Sequence, residues 1–176
     1  QEMVQRPEFA QLPKERMREE WEKLLLKSER PSMGLQTLLS LGVIEKLYPE
    51  LAGLEHTPQE FAWHPEGDVW IHTLMVADSA REVVRREQLG NETGRIVMWA
   101  SLCHDLGKPE TTELSGDGRL RSKGHEPAGE QPTRTFLEKV GIDKDTIKKI
   151  VPLVREHLWP SMQYFHHLNF LRYRKH

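Results

Sequence analysis

Apolar residues recur along most of this chain at intervals of three and four, the spacing of one helical face, and no convincing alternation of period two appears anywhere. From Pro13, the segment PKERMREEWEKLLLKS places Met17, Trp21, Leu24 and Leu25 on one face, with Pro13 positioned to start the helix. After Arg30-Pro31, Ser32 stands where a cap is wanted, and Leu35, Leu38, Leu39 and Ile44 recur before Gly42 and Pro49 break the run. One or two short helices follow from that. Residues 53–67 carry two prolines, glycines and no sustained period, which predicts a connecting loop. The chain is expected to divide there into an N-terminal helical segment (1–55) and a larger part (56–176), packed together as one unit.

Asp68 is placed to cap a long helix in which Val69, His72, Met75, Val76, Ala80 and Val83 share a face, so that His72 points inward. In TGRIVMWASLCHDLGK, Val97, Ala100, Ser101 and His104 stack at helical intervals, with Gly107 expected to end that helix. Residues 109–124 are polar and glycine-rich and predict a mobile loop leading to His125. A helix from about Ala128 to Gly141 is expected despite Pro132. The last clear helix puts Ile147, Ile150, Val154 and His157 on one face, with Pro152 as a kink. The expected fold is all-α, a bundle of about six to eight helices.

Composition adds bounds rather than direction. The 176 residues are 37% hydrophobic and 30% charged, which fits a packed globular domain and excludes a disordered or fibrous chain. A net charge of -2 makes no demand for nucleic acid or an anionic membrane as partner. No stretch reaches the roughly 18 apolar residues that span a bilayer, and no secretion signal opens the sequence. Cys103 is the only cysteine, which excludes an internal disulfide and suits a reducing compartment, so cytoplasm is the expected location.

The chemistry lies in the histidines. His72, His104 and His157 occupy positions where Leu or Val would pack more simply. Burying an imidazole without partners costs on the order of 1 to 3 kcal/mol. Three such losses would consume much of a stability of about 5 to 15 kcal/mol, and a shared divalent ion would offset them together. His104-Asp105 supplies one nitrogen and one oxygen donor, and a carboxylate can bridge two ions. Manganese, iron, cobalt, nickel and zinc all accept such a mixed set, with magnesium as a further option, and one or two ions are possible.

The ordered set of His72, His104-Asp105 within LCHDLGKPETT, Gly124-His125-Glu126 and Glu156-His157 resembles the HD phosphohydrolase superfamily. More narrowly, HPEGDVWIHTLMVADSA, HDLGKP, GRLRSKGHEPAG and FLEKVG are similar to the C-terminal HD domain attached to some bacterial tRNA nucleotidyltransferases, the CCA-adding enzymes. The segment REEWEKLLLKSERPSMGLQTLLSLGVIEKLYPEL resembles the helical stretch that precedes that domain. The likeness runs over roughly residues 14–160. It implies a divalent-metal-dependent hydrolase of phosphomonoesters or cyclic phosphodiesters, with nucleotides or RNA ends as substrates and tRNA as a possible partner.

It also implies roles. His72, His104 and Asp105 would hold one ion, Asp105, His125 and His157 a second, and the ions would activate water for attack on phosphorus. Asp105 and Lys108 would be the catalytic side chains. Lys108 would bind substrate phosphate as a point charge, with Arg119, Arg121 and Lys123 adding to it. The glycine-rich nucleotide loop and paired aspartates of a nucleotidyltransferase head have no counterpart, so nucleotide addition is not expected. No Asp or Glu follows Glu156, whereas the superfamily commonly provides a later helical aspartate as ligand. A fragment, which the start at Gln1 also favours, or an incomplete first ion position would account for that.

Other residues read more plainly. Glu126 is expected to serve a helix start. His56, His64, His166 and His167 are expected at the surface, with His64 the exception of interest because it precedes the motif-bearing helix. Cys103 is expected to be a buried structural thiol, and Trp63, Trp70, Trp99 and Trp159 core anchors rather than stacking platforms. A second reading, an RNA-binding or assembly module, would show affinity for tRNA without turnover. A third is a purely structural metal site.

Overall fold

The computed structural model describes residues 13–160. His166 and His167, expected at the surface, lie outside them. Ten helices and one small hairpin make up the described part: α1 (Lys14–Lys27), α2 (Pro31–Ser40), α3 (Val43–Leu47), α4 (Pro49–Ala52), α5 (Val69–Arg86), α6 (Asn91–Cys103), α7 (Lys108–Thr111), β1 (Thr112–Leu114), β2 (Leu120–Ser122), α8 (His125–Ala128), α9 (Glu130–Val140) and α10 (Lys144–Arg155). The all-α expectation holds, with the hairpin as the sole sheet among the described residues.

One continuous apolar core joins the N-terminal helices to the rest. Its centre is aromatic. Trp21 of α1 meets Tyr48 edge-on at 5.2 Å and Phe136 of α9 at 5.4 Å, and Trp99 of α6 closes the group at 6.0 Å from Trp21. The Trp21 indole also donates to the Tyr48 hydroxyl at 3.0 Å, so the polar edge of each ring is satisfied inside. Pairs of this kind each add about 0.5 to 1.5 kcal/mol beyond their burial.

Several local expectations fail for identifiable reasons. Ser32 does not cap α2 with its own side chain. Its N–H and hydroxyl both donate to Asp78 of α5, at 2.9 and 2.7 Å, so the carboxylate at the start of α2 comes from another helix. On α5 the buried stripe is Val69, Trp70, Thr73, Ala77, Ala80 and Val84, while Met75 is 53% and Val83 36% exposed. The expected face was therefore rotated by about one residue from the core. The same offset recurs on α6, where Met98, Trp99, Leu102 and Cys103 are buried. That helix ends at Cys103, short of Gly107.

The expected mobile loop at 109–124 contains α7 and an antiparallel hairpin pairing Thr112 with Ser122 and Leu114 with Leu120. Three-residue strands are too short to show a period of two. The hairpin is held by the Thr112 and Ser122 hydroxyls at 2.7 Å and by a turn in which Gly118 takes φ +77°. Pro132 lies in the first turn of α9, where its missing N–H is no loss.

Asp68 does cap α5, accepting from the Ile71 N–H at 3.0 Å. Asp143 caps α10, accepting from the Thr146 N–H and hydroxyl, each at 2.8 Å. Those two bonds, helped by Arg95, lower the Asp143 carboxyl from 3.8 to about 2. Asp143→Ala is expected to cost about 1 kcal/mol at neutral pH. A depressed folded value means the stabilisation is present above pH 3.8 and is lost as pH falls through about 2. Urea titrations of both proteins across that range should show the difference narrow on acidification.

Candidate metal centre

His72 rises from α5, His104 caps the C-terminal end of α6 with Asp105 next to it, His125 opens α8, and His157 sits in the turn just beyond α10. The two oxygens of Asp105 divide these imidazoles. Oδ2 lies 3.0 Å from His104 Nε2 and 3.8 Å from His72 Nε2. Oδ1 lies 3.3 Å from His125 Nε2 and 3.8 Å from His157 Nε2. The Asp105 side chain is 1% exposed, and the histidines line a cavity of about 310 Å³ above it. They border the core rather than occupying it, which is why their expected core face was out of phase.

Each imidazole is oriented through its other nitrogen. Nδ1 of His104 donates to the Ser101 carbonyl at 2.8 Å, that of His125 to Ser122 at 2.7 Å, and that of His157 to Val154 at 2.7 Å. His72 Nδ1 donates to Glu66 Oε1 at 2.8 Å. These partners only accept, so the proton of each neutral ring stays on Nδ1 and Nε2 presents a lone pair. Four lone pairs thus face one buried carboxylate, and those of His125 and His157 stand 3.2 Å from each other.

Neither Asp105 oxygen accepts a well-angled hydrogen bond, although the Lys108 ammonium is 2.8 Å from Oδ2. Such a set is repulsive unless positive charge lies within it. Protons meet part of that need: burial opposes ionisation of Asp105, but His104, His125 and Lys108 outweigh it and hold the carboxyl well below its usual value. Burial also disfavours a charged His125, yet the Asp105 contact overcomes this and raises it. His72 and His157 are lowered, chiefly by burial, and so favour the neutral, donor form. A divalent cation suits the arrangement better than protons, since it satisfies several nitrogen and oxygen donors at once. His72, His104 and Asp105 form one group whose ligand atoms lie within 4.8 Å of one another, and Asp105, His125 and His157 form another.

Lys108 is 8% exposed and also donates to Gln59 Oε1 at 2.8 Å, so it lines the Asp105 cavity from below. Arg119, Arg121 and Lys123 line an adjoining cavity instead. Arg121 is paired with Asp117 at 2.5 Å. Glu126 stands 3.4 Å from His125 Nδ1. Cys103 is fully buried with its thiol pushed up by desolvation, as a structural cysteine should be.

Two residues near the site escaped the sequence reading. Glu66 receives the Nδ1 protons of both His72 and His64, the latter at 3.0 Å. Burial opposes its ionisation, but the bonds from His64, its own backbone and His72 bring its carboxyl down to about 2. Gln59 likewise came from a loop with no period to mark it. His64, noted only for its position, is drawn into the same cavity. Trp70 and Trp99 are core anchors as expected, whereas Trp63 is 73% and Trp159 55% exposed, which corrects that expectation for both. Trp63 lies in a turn closed by its N–H on the Glu60 carbonyl at 3.0 Å, outside the apolar core.

A helical domain that gathers His72, a His104-Asp105 pair and two later histidines around one buried carboxylate defines a class, and the sequence agrees with it. The HD domain family model matches residues 69–175, more than half of the chain, and the chain belongs to that family. The model described as the probable RNA and SrmB-binding site of polymerase A matches residues 4–54. Among curated proteins, the chain is 35% identical over 141 residues to the multifunctional CCA protein of Mannheimia succiniciproducens, covering 80% of this chain and 32% of that protein. It is 36% identical over 139 residues to the one from Pasteurella multocida, covering 79% and 31%. It is 33% identical over 159 residues to the one from Xanthomonas campestris pv. campestris, covering 89% and 36%. The chain spans about a third of the length of these relatives. No solved structure matches it significantly. Among the described residues no helix is long and apolar enough to cross a membrane.

Proposed function

We propose that this domain is a divalent-metal-dependent phosphohydrolase acting on phosphomonoesters or cyclic phosphodiesters of nucleotides or RNA ends, in the cytoplasm. The observation that carries the reading is the Asp105 carboxylate, buried and split between two pairs of imidazoles that turn bare Nε2 atoms toward it. His72, His104 and Asp105 would hold one ion, and Asp105, His125 and His157 a second. Bound there, such ions supply an acidified water and neutralise charge on the phosphoryl oxygens. The backbone carbonyls of Ser101, Ser122 and Val154 fix three rings before any ligand arrives, so little reorganisation is required. Lys108 keeps its ammonium at the cavity floor, where it balances Asp105 and offers a fixed charge to a phosphate.

Protein stripped of metal is expected not to hydrolyse phosphoesters, and manganese, nickel or cobalt to restore turnover. Equal rates in excess chelator would remove the reading. Glu66→Ala, which frees His72 Nδ1, is expected to weaken metal binding about 10- to 100-fold by titration calorimetry.

A second reading is an RNA-binding or assembly module beside a nucleotidyltransferase. The match of residues 4–54 to an RNA-binding model, and the CCA proteins among the relatives, favour it. Affinity for tRNA that falls steeply with salt, with no turnover under any metal, would select it.

A further inference from the structure

The Asp105 cavity has a neighbour. A second cavity of about 590 Å³ is lined by Arg119, Arg121 and Lys123 of the hairpin region together with Gly124 and Glu126. The two share a wall made of Glu60, Trp63, Leu120, Ser122, His125 and Leu158. We propose that the second cavity is a subsite for a second phosphate, and that Trp63 on the shared wall stacks on the nucleobase between the two. The ligand is then the phosphorylated end of an oligonucleotide rather than a lone nucleotide. This rests on the reading above only in placing the terminal phosphate over Asp105.

Three observations support it. Arg119, Arg121 and Lys123 are all exposed and all line the second cavity, Arg121 from within β2 and the other two from the residues flanking it. Arg121 is neutralised by Asp117, but neither the Arg119 guanidinium nor the Lys123 ammonium has an ion pair or hydrogen bond among the described residues. Neither acidic wall residue pairs with these cations: Glu60 Oε2 accepts from the Leu120 N–H at 3.0 Å, and Glu126 stands 3.4 Å from His125 Nδ1. Two cations therefore remain available for an anion beyond the one that Lys108 faces. Trp63 is 73% exposed despite its size, and with Leu120 and Leu158 it gives the shared wall apolar surface, its indole offering a face on which any base can stack.

The test is equilibrium binding in chelator, where no metal-dependent turnover intrudes. A short oligoribonucleotide ending in a phosphate is compared with a nucleoside monophosphate. The oligonucleotide is expected to bind about tenfold tighter at low salt, since each added phosphate contact releases counterions. Arg119→Ala with Lys123→Ala should erase that margin and lower the log-log salt slope by about 0.7, the value for one phosphate contact on a single strand. Trp63→Ala should weaken both probes by about tenfold through lost stacking. Removal of two exposed cations on α10, Lys144→Ala with Lys148→Ala, should leave the margin intact.

Equal affinity for the two probes, a margin that survives the hairpin double variant, or one that the α10 variant erases equally would each overturn the proposal. Binding with the expected margin but no turnover under any metal would sink the hydrolase reading and keep this one. Turnover without the margin would do the reverse.

Discussion

Asp105→Ala is expected to abolish metal binding at both candidate positions and to lower phosphoester turnover by about a thousandfold, the equivalent of roughly 4 kcal/mol of transition-state stabilisation. The Asp105 carboxylate reaches both pairs of imidazoles: Oδ2 faces His104 and His72, and Oδ1 faces His125 and His157. A histidine variant should be milder, because it removes one donor from one group. The variant carries a second signature that does not depend on metal. Lys108 is 8% exposed and loses its carboxylate, leaving a buried ammonium with only Gln59 for company. Breaking a buried pair from one side costs about 3 kcal/mol. Lys108→Met in the same protein should recover part of that stability while turnover stays absent. Asp105→Ala protein that still titrates metal with wild-type stoichiometry would refute the assignment.

Gly107→Ala should do comparable damage by a different route. Its backbone, at φ -86° and ψ -12°, is open to any residue, so strain plays no part. A Cβ there would stand 2.0 Å from the His125 carbonyl oxygen and 2.5 Å from the Gly129 nitrogen, and both are backbone atoms that cannot swing aside. The segment after Asp105 and the turn of α8 that presents His125 pack directly through this absent side chain. Overpacking against backbone costs about 3 kcal/mol or more, and the forced separation would carry His125 away from Asp105 Oδ1. Urea unfolding should show the loss, and calorimetry should show weaker metal binding on the His125 side. Gly116→Ala, where nothing lies within 4 Å, should change stability by no more than about 0.5 kcal/mol.

These two residues also mark how far the amino-acid order could be read. His104-Asp105 was visible because the pair is contiguous and follows a helical run, and the other three histidines could be ordered against it. Gly107 reads from sequence as a helix terminator, since a sequence displays a glycine's local freedom but not the chain that presses against it. His72 and His104 were put on the core face because a half-buried cavity wall and a packed face share the same 3.6 period, offset by about one position. Glu66 and Gln59 gave no signal, as each acts from an aperiodic loop on a partner brought near only by folding.

Local order by itself determined the longer helices, the cap at Asp68 and the identity of the ligand candidates, because those depend on neighbours within a few residues. Tertiary structure alone decided that Asp105 divides its two oxygens between two pairs of rings, that Asp78 rather than Ser32 supplies the carboxylate at the start of α2, and that Trp63 is exposed. Those outcomes depend on side-chain directions across segments far apart in sequence, which periodicity does not encode.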